Sequence, residues 1–167
     1  MPPVLHCVQA TANSCAVACV AMALQARGRS SGLQVAGQQL PLTARGATAG
    51  DMVRALCAAG IDAKLMDLDP TDPKIVPWLR ALLNSDRLII AQVFAAEMAK
   101  IAASRGLCIG PHGTLPTGPG WLHVVVLASA TSTHFAVHDP WFGDGQPMQV
   151  QAVELAAALQ SAIVVVP

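Results

Sequence analysis

Ser14-Cys15-Ala16-Val17-Ala18-Cys19-Val20-Ala21-Met22-Ala23-Leu24 contains no charged residue and neither glycine nor proline. Alanine, methionine and leucine favour a helix. Asn13 or Ser14 can serve as N-cap, and Gly28 stands at the C′ stop position, so the pattern predicts a helix from Ser14 to about Arg27. A helix that is apolar on every side has no solvent face and belongs at the centre of a fold. The apolar run from Cys15 to Leu24 is too short to span a bilayer, so burial in a protein core is the expected fate.

Outward from that helix, Gly50-Asp51 opens a second one running to Ala59, Gly60 ends it, and Ile61 to Leu68 alternates as a short strand. Lys74 to Asn84 reads as a third helix, Leu88 to Phe94 as a buried strand and Ala95 to Arg105 as a further helix. Gly106 to Gly120 is rich in Gly, Pro and Thr without periodicity, which predicts a long loop of the kind that often serves function. His123 to Ser129, His134 to His138 and Gln146 to Gln151 read as strands, followed by a helix from Val153 to Gln160 and a last strand from Ala162 to Val166. A helix-rich first half followed by an antiparallel meander is an α+β pattern, with the central helix packed on the sheet.

No repeat or linker divides the 167 residues, so one domain from 1 to 167 is expected. An apolar share of 53% is ample for a core. Charged residues are only 12%, the formal net charge is zero, and no Lys/Arg cluster could track a phosphate backbone, which argues against nucleic acid as a partner. No membrane span and no secretory signal are apparent, which leads to an expectation of a cytoplasmic protein. Five cysteines, Cys7, Cys15, Cys19, Cys57 and Cys108, form no even, closely spaced framework, so free thiols are expected.

A cysteine at the start of a helix meets unpaired backbone N–H groups and the positive end of the dipole, and both favour a thiolate. Cys15 holds that position. Gln9, six residues earlier, lies on the segment leading into the helix, where its amide can stabilise an oxyanion beside the Cys15 N–H. His123 opens an apolar strand directly after the long loop, and the next strand ends in His138-Asp139-Pro140-Trp141. A hairpin between these strands would bring the Asp139 carboxylate beside the His123 imidazole, as a triad requires.

Each of these residues also has a plainer reading. Free cysteines are commonly small buried hydrophobes, and Cys19, one turn along the helix among Val and Ala, is read as core. Asp139-Pro140 could simply end a strand. His134 and His138 compete with His123, but His134 has no aspartate one hairpin away, and His138 would point to the opposite sheet face from Asp139. His6, Cys7 and Cys15 fit no closed zinc spacing, so neither metal nor other cofactor is expected. Trp121 and Trp141 stand near the two strand ends, either as walls of a substrate groove or as core.

Taken together, Gln9, the stretch from Ser14 to Leu24, the strand His123-Val124-Val125-Val126-Leu127, and Asp139-Pro140 followed by Gly143 resemble the papain-like double-glycine leader peptidases. These occur as peptidase domains of bacteriocin exporters and as free-standing (C39-like) relatives. The resemblance covers nearly the whole chain. It departs at two positions, Ser14 where the family has an acidic residue and Ala16 where it has glycine. It implies a papain-like fold and a cysteine peptidase acting on a peptide or protein, with Cys15 as nucleophile, His123 as base, Asp139 as orienting acid and Gln9 at the oxyanion. An acyltransferase or amide-forming enzyme would use the same triad. A peptide-binding module of this fold would not need to retain it.

Overall fold

The computed structural model describes residues 3–29, 31–41, 43, 46–142 and 145–167. Gly143, one of the residues of the resemblance, lies outside them. The first helix, α1 (Cys15–Ala26), follows Ser14 as N-cap and is buried from Ala16 to Leu24. Gly28, at φ +80, ends it in the left-handed conformation that glycine adopts without strain. Two helices flank it, α2 (Gly32–Gln39) and α3 (Ala49–Ala58). A side chain at Gly32 would place its Cβ 2.8 Å from the carbonyl oxygen of Ala21, so only glycine lets α2 approach the α1 backbone this closely. α3 starts with a reciprocal capping box, in which Thr48 accepts from the Asp51 N–H and the Asp51 carboxylate accepts from the Thr48 N–H.

The chain continues through β1 (Ala63–Asp67), α4 (Ile75–Asn84), β2 (Leu88–Phe94) and α5 (Ala95–Ala103). Pro77 is tolerated in α4 because it falls in the first turn, where its missing N–H would have had no helical acceptor. After the long loop come β3 (Leu122–Ala130), β4 (His134–His138), β5 (Met148–Gln151), α6 (Ala152–Ala158) and β6 (Leu159–Val165).

The strands make one antiparallel sheet in the order β1-β6-β2-β3-β4-β5. The meander β3 to β5 is as expected, but the sheet is not confined to the second half of the chain. β1 comes from the first half, and β6 returns to lie between it and β2. Helices cover both faces. α1, α2 and α3 pack with Leu88, Ile90, Val124 and Val126 on one side, and α4, α5 and α6 pack with Ile89, Ala91, Val125 and Leu127 on the other. This explains why β2 reads as a nearly continuous apolar run: both of its faces are buried.

Several elements or their bounds differ from the sequence reading, and two of the differences have a plain physical reason. α2 has no counterpart in it, because only Gly32 and Ala36 of this helix are buried and its apolar periodicity is weak. α6 stops at Ala158, before the expected Gln160, because Leu159 turns extended, pairs with Val93 and is fully buried in the sheet.

Candidate active site

Cys15 is the first residue of α1, where the backbone N–H groups have no helical acceptors. Ser14, the N-cap, leaves them open. Its hydroxyl turns back to Thr11, donating to the Thr11 carbonyl at 3.0 Å and accepting from the Thr11 N–H at 2.9 Å. The free N–H groups are therefore available to the thiolate. Burial pushes the Cys15 thiol up, but the hydrogen bond and charge of His123, with the N–H groups of Val124 and Ala16, outweigh it and bring the thiol below its ordinary range.

β3 carries His123 to the same place, pairing it with Val93 of the central strand. β4 runs antiparallel beside β3, with Val126 opposite His138, so the residue following β4 faces the start of β3. There His123 Nε2 lies 2.7 Å from Asp139 Oδ1, with His123 only 3% and Asp139 only 2% exposed. The Trp141 N–H donates to the same Oδ1 at 2.9 Å and fixes the carboxylate. With Nε2 engaged by Asp139, Nδ1 is the ring nitrogen left for Cys15. Burial by itself would lower the basicity of His123, but the charge and hydrogen bond of Asp139 and the interaction with Cys15 push its pKa up to about 10. The combined direction, thiol down and imidazole up, favours a thiolate–imidazolium pair near neutral pH.

Gln9 is held close to this loop, its N–H donating to the Pro140 carbonyl at 2.9 Å. It is 2% exposed, its Nε2 donates to the Thr11 carbonyl at 2.7 Å, and its Oε1 has no hydrogen-bond partner among the described residues. The second Nε2 hydrogen remains for another acceptor. Gln9 is thus held from its main chain and its side chain beside the turn that precedes Cys15.

Three contacts that fasten this region have no signal in the sequence reading. The His6 Nε2–H donates to the Phe142 carbonyl at 2.8 Å, and His6 Nδ1 lies 3.3 Å from His138 Nδ1. His138 points away from the cleft into this contact. From the long loop, the His112 Nε2–H donates to the Gln9 carbonyl at 2.9 Å. The loop itself is built: Gly110 and Gly113 form an antiparallel bridge, and the Trp141 indole donates to the Gly113 carbonyl at 3.0 Å.

Cys15 and His123 open onto a cleft of about 770 Å³. The segment 46–49 forms one wall and Leu115, Pro116, Pro119 and Trp121 the other. No Asp, Glu, Lys or Arg lines it among the described residues. Trp121 stands 56% exposed at the rim, whereas Trp141 is 1% exposed, so the first is a cleft wall and the second is mainly a core residue that touches the cleft from below. Cys19 is buried, donates to the Val124 carbonyl at 3.3 Å and is pushed well above the ordinary thiol range by desolvation, then by the nearby Cys15 and Asp139. All five cysteines are free. Among the described residues no helix is long and apolar enough to cross a membrane, and no cluster of His, Cys, Asp or Glu could hold a metal ion.

No family model and no curated protein matches the chain. Its structure does match solved ones. The peptidase domain of Streptococcus ComA, a bi-functional ABC transporter involved in a quorum-sensing pathway, superposes with a TM-score of 0.66 at 15% identity, covering 99% of each chain. A double-glycine-motif protease from an AMS/PCAT transporter, crystallised in complex with the leader peptide, gives 0.61 at 15% identity over 100% of this chain and 93% of that one. A protein from Bacillus anthracis named as a C39-like peptidase gives 0.65 at 16% identity over 98% and 94%. The chain therefore has the fold of the C39 peptidase domains, the α+β architecture that its resemblance to the double-glycine leader peptidases implied.

Proposed function

We propose that this chain is one papain-like cysteine peptidase domain acting on a peptide or protein substrate. The observation that carries the reading is the position of His123, hydrogen-bonded to Asp139 on one side and interacting with Cys15 on the other, at the floor of an uncharged cleft. The Cys15 thiolate attacks the scissile carbonyl carbon. The oxyanion that forms is met by the Cys15 N–H and the free Nε2 hydrogen of Gln9. The His123 imidazolium gives its proton to the leaving amine, whose departure leaves a thioester on Cys15. His123 then takes a proton from water, which attacks the thioester and releases the acid. Asp139 holds the ring orientation and stabilises the imidazolium in both halves. The mechanism calls for no cofactor and no metal.

Incubating wild type and Cys15→Ala with a peptide library and reading products by mass spectrometry tests this directly. Hydrolysed amides from wild type and none from Cys15→Ala are expected. Peptides joined to added amines instead of water would move the reading to an acyltransferase. Retained peptides with no product from either protein would replace it with a binding module.

A further inference from the structure

β2 is apolar from Leu88 to Ala91 and again at Val93 and Phe94, and Gln92 alone interrupts it. A primary amide inside a strand covered on both faces is costly unless its polar atoms find partners. Gln92 is in register with Ser161 of β6 on one side and with Val124 of β3, the residue after His123, on the other. Ser161 is 6% exposed, and its hydroxyl donates to Gln92 Oε1 at 2.7 Å. The carbonyl half of the amide is thus fixed from the sheet side. Because the amide is planar, its NH₂ group is fixed as well, and Gln92 lines the same cleft as Cys15 and His123. No protein acceptor faces its Nε2 among the described residues. Elsewhere in the cleft lining, Ala47, Ala49, Ala95, Leu115 and Pro116 are apolar and offer no side-chain donor.

We propose that Gln92 Nε2 donates to a main-chain carbonyl of the bound peptide, and that Ser161 is the positioning residue that aims it. The inference rests on the peptidase reading above and deepens it. A fixed donor of this kind holds an extended backbone whatever its side chains are, and leaves side-chain selection to the apolar walls. Gln92 is a binding residue, and the chemistry at Cys15 does not pass through it.

The test compares two alkylating probes of Cys15. Acetyl-Ala-Ala-Ala chloromethyl ketone has only carbonyl groups along its chain as strong acceptors, whereas iodoacetamide is too small to use the cleft. The readout is the ratio of their second-order rate constants at Cys15, which cancels any change in the reactivity of the thiol. Gln92→Met, similar in volume but without a donor, should lower that ratio about fivefold to tenfold, the effect of one neutral hydrogen bond. Gln92→Glu can still accept from Ser161 but turns an oxygen toward the cleft, so its loss should be at least as large. Ser161→Ala, which frees the amide to rotate, should give a smaller loss. Should Gln92→Met fail to fold, the equal-sized Gln92→Glu gives the same reading. An unchanged ratio in the Gln92 variants overturns the inference alone. If neither probe modifies Cys15 in wild type, the peptidase reading falls and takes the inference with it.

Discussion

His123 Nε2 and Asp139 Oδ1 are 2.7 Å apart in surroundings that leave both side chains almost wholly buried, while Asp139 Oδ2 has no hydrogen-bond partner among the described residues. One carboxylate oxygen therefore does all the orienting, accepting from the imidazole and from the Trp141 N–H. An asparagine could keep both contacts through its carbonyl oxygen. What it would remove is the negative charge that raises the basicity of His123.

That charge sets the pH dependence. The imidazole is pushed up to about 10 and the Cys15 thiol is lowered, so turnover should follow a bell. The acid limb marks protonation of the thiolate and lies below the ordinary thiol range. The alkaline limb marks loss of the imidazolium proton needed by the leaving amine and lies near 10. In Asp139→Asn the alkaline limb should move to lower pH, because a cation-stabilising charge is gone. The acid limb should move up, because a less protonated His123 stabilises the thiolate less. Profiles of kcat/KM for the two proteins check this, and an unmoved alkaline limb would detach Asp139 from His123.

Cys15 should be the first of the five thiols to react with iodoacetamide near pH 6. It alone is lowered by a histidine and helix-start N–H groups, whereas burial raises Cys7 and raises Cys19 further. Mapping the modified cysteines by mass spectrometry after brief labelling decides it. Earlier labelling of the exposed Cys57 or Cys108 would remove Cys15 from the nucleophile role.

Gln9→Ala should lower turnover by roughly 10²-fold, the usual cost of one oxyanion-hole donor. Alkylation by iodoacetamide forms no oxyanion, so its rate at Cys15 should stay within about twofold of wild type. The pairing of measurements matters here because Gln9 also bonds the Thr11 carbonyl on the segment before Cys15. Equal losses in both would mean that Gln9 only holds that segment in place.

Much of this architecture is legible in the residues themselves. α1 announces itself because its sides are all apolar and its two ends carry an N-cap and Gly28, and β2 and β4 begin and end where their apolar patterning does. The proximity of His123 and Asp139 follows from two strands joined by a short turn. What local pattern does not supply is long-range pairing. The insertion of β6 between β1 and β2 depends on contacts between segments far apart in the chain, and no local signal carries it. The 46–49 wall is half visible, since Thr48-Ala49-Gly50-Asp51 is a capping-box spacing. Gln92, a lone amide in an apolar strand, is the clearest signal that periodicity alone leaves unused. His112 gives none, because its contact with the Gln9 carbonyl arises from how the long loop folds.

The fold of that loop makes its own prediction. A Cβ at Gly110 would fall 2.1 Å from the Trp141 carbonyl oxygen and 2.6 Å from the indole ring, and backbone cannot give way as a flexible side chain can. Gly110→Ala should push the loop off Trp141 and break the indole bond to Gly113. Overpacking of this kind costs about 1–3 kcal/mol. Amide exchange in residues 106–120 should speed up, and KM should rise more than kcat falls, since a cleft wall moves while the triad stays. Unaltered exchange would show that the loop does not depend on this contact.

The final prediction concerns Cys15, His123 and Asp139 as one unit. His123→Ala should nearly abolish turnover, because both the base for Cys15 and the acid for the leaving amine are lost. Asp139→Asn should cost less than Asp139→Ala, since the amide oxygen can still receive the imidazole and Trp141 N–H groups that alanine leaves without an acceptor. If the three act together, their losses cannot add. Adding Asp139→Ala to a Cys15→Ala protein should reduce residual turnover no further, because the proton relay has no nucleophile left to serve. The measurement is residual kcat/KM for the single and double variants on the fastest-cleaved library peptide, with circular dichroism to confirm folding. Losses that multiply would mean that Asp139 contributes by a route independent of Cys15, such as holding the 138–142 turn, and would reduce the triad to a Cys15–His123 dyad.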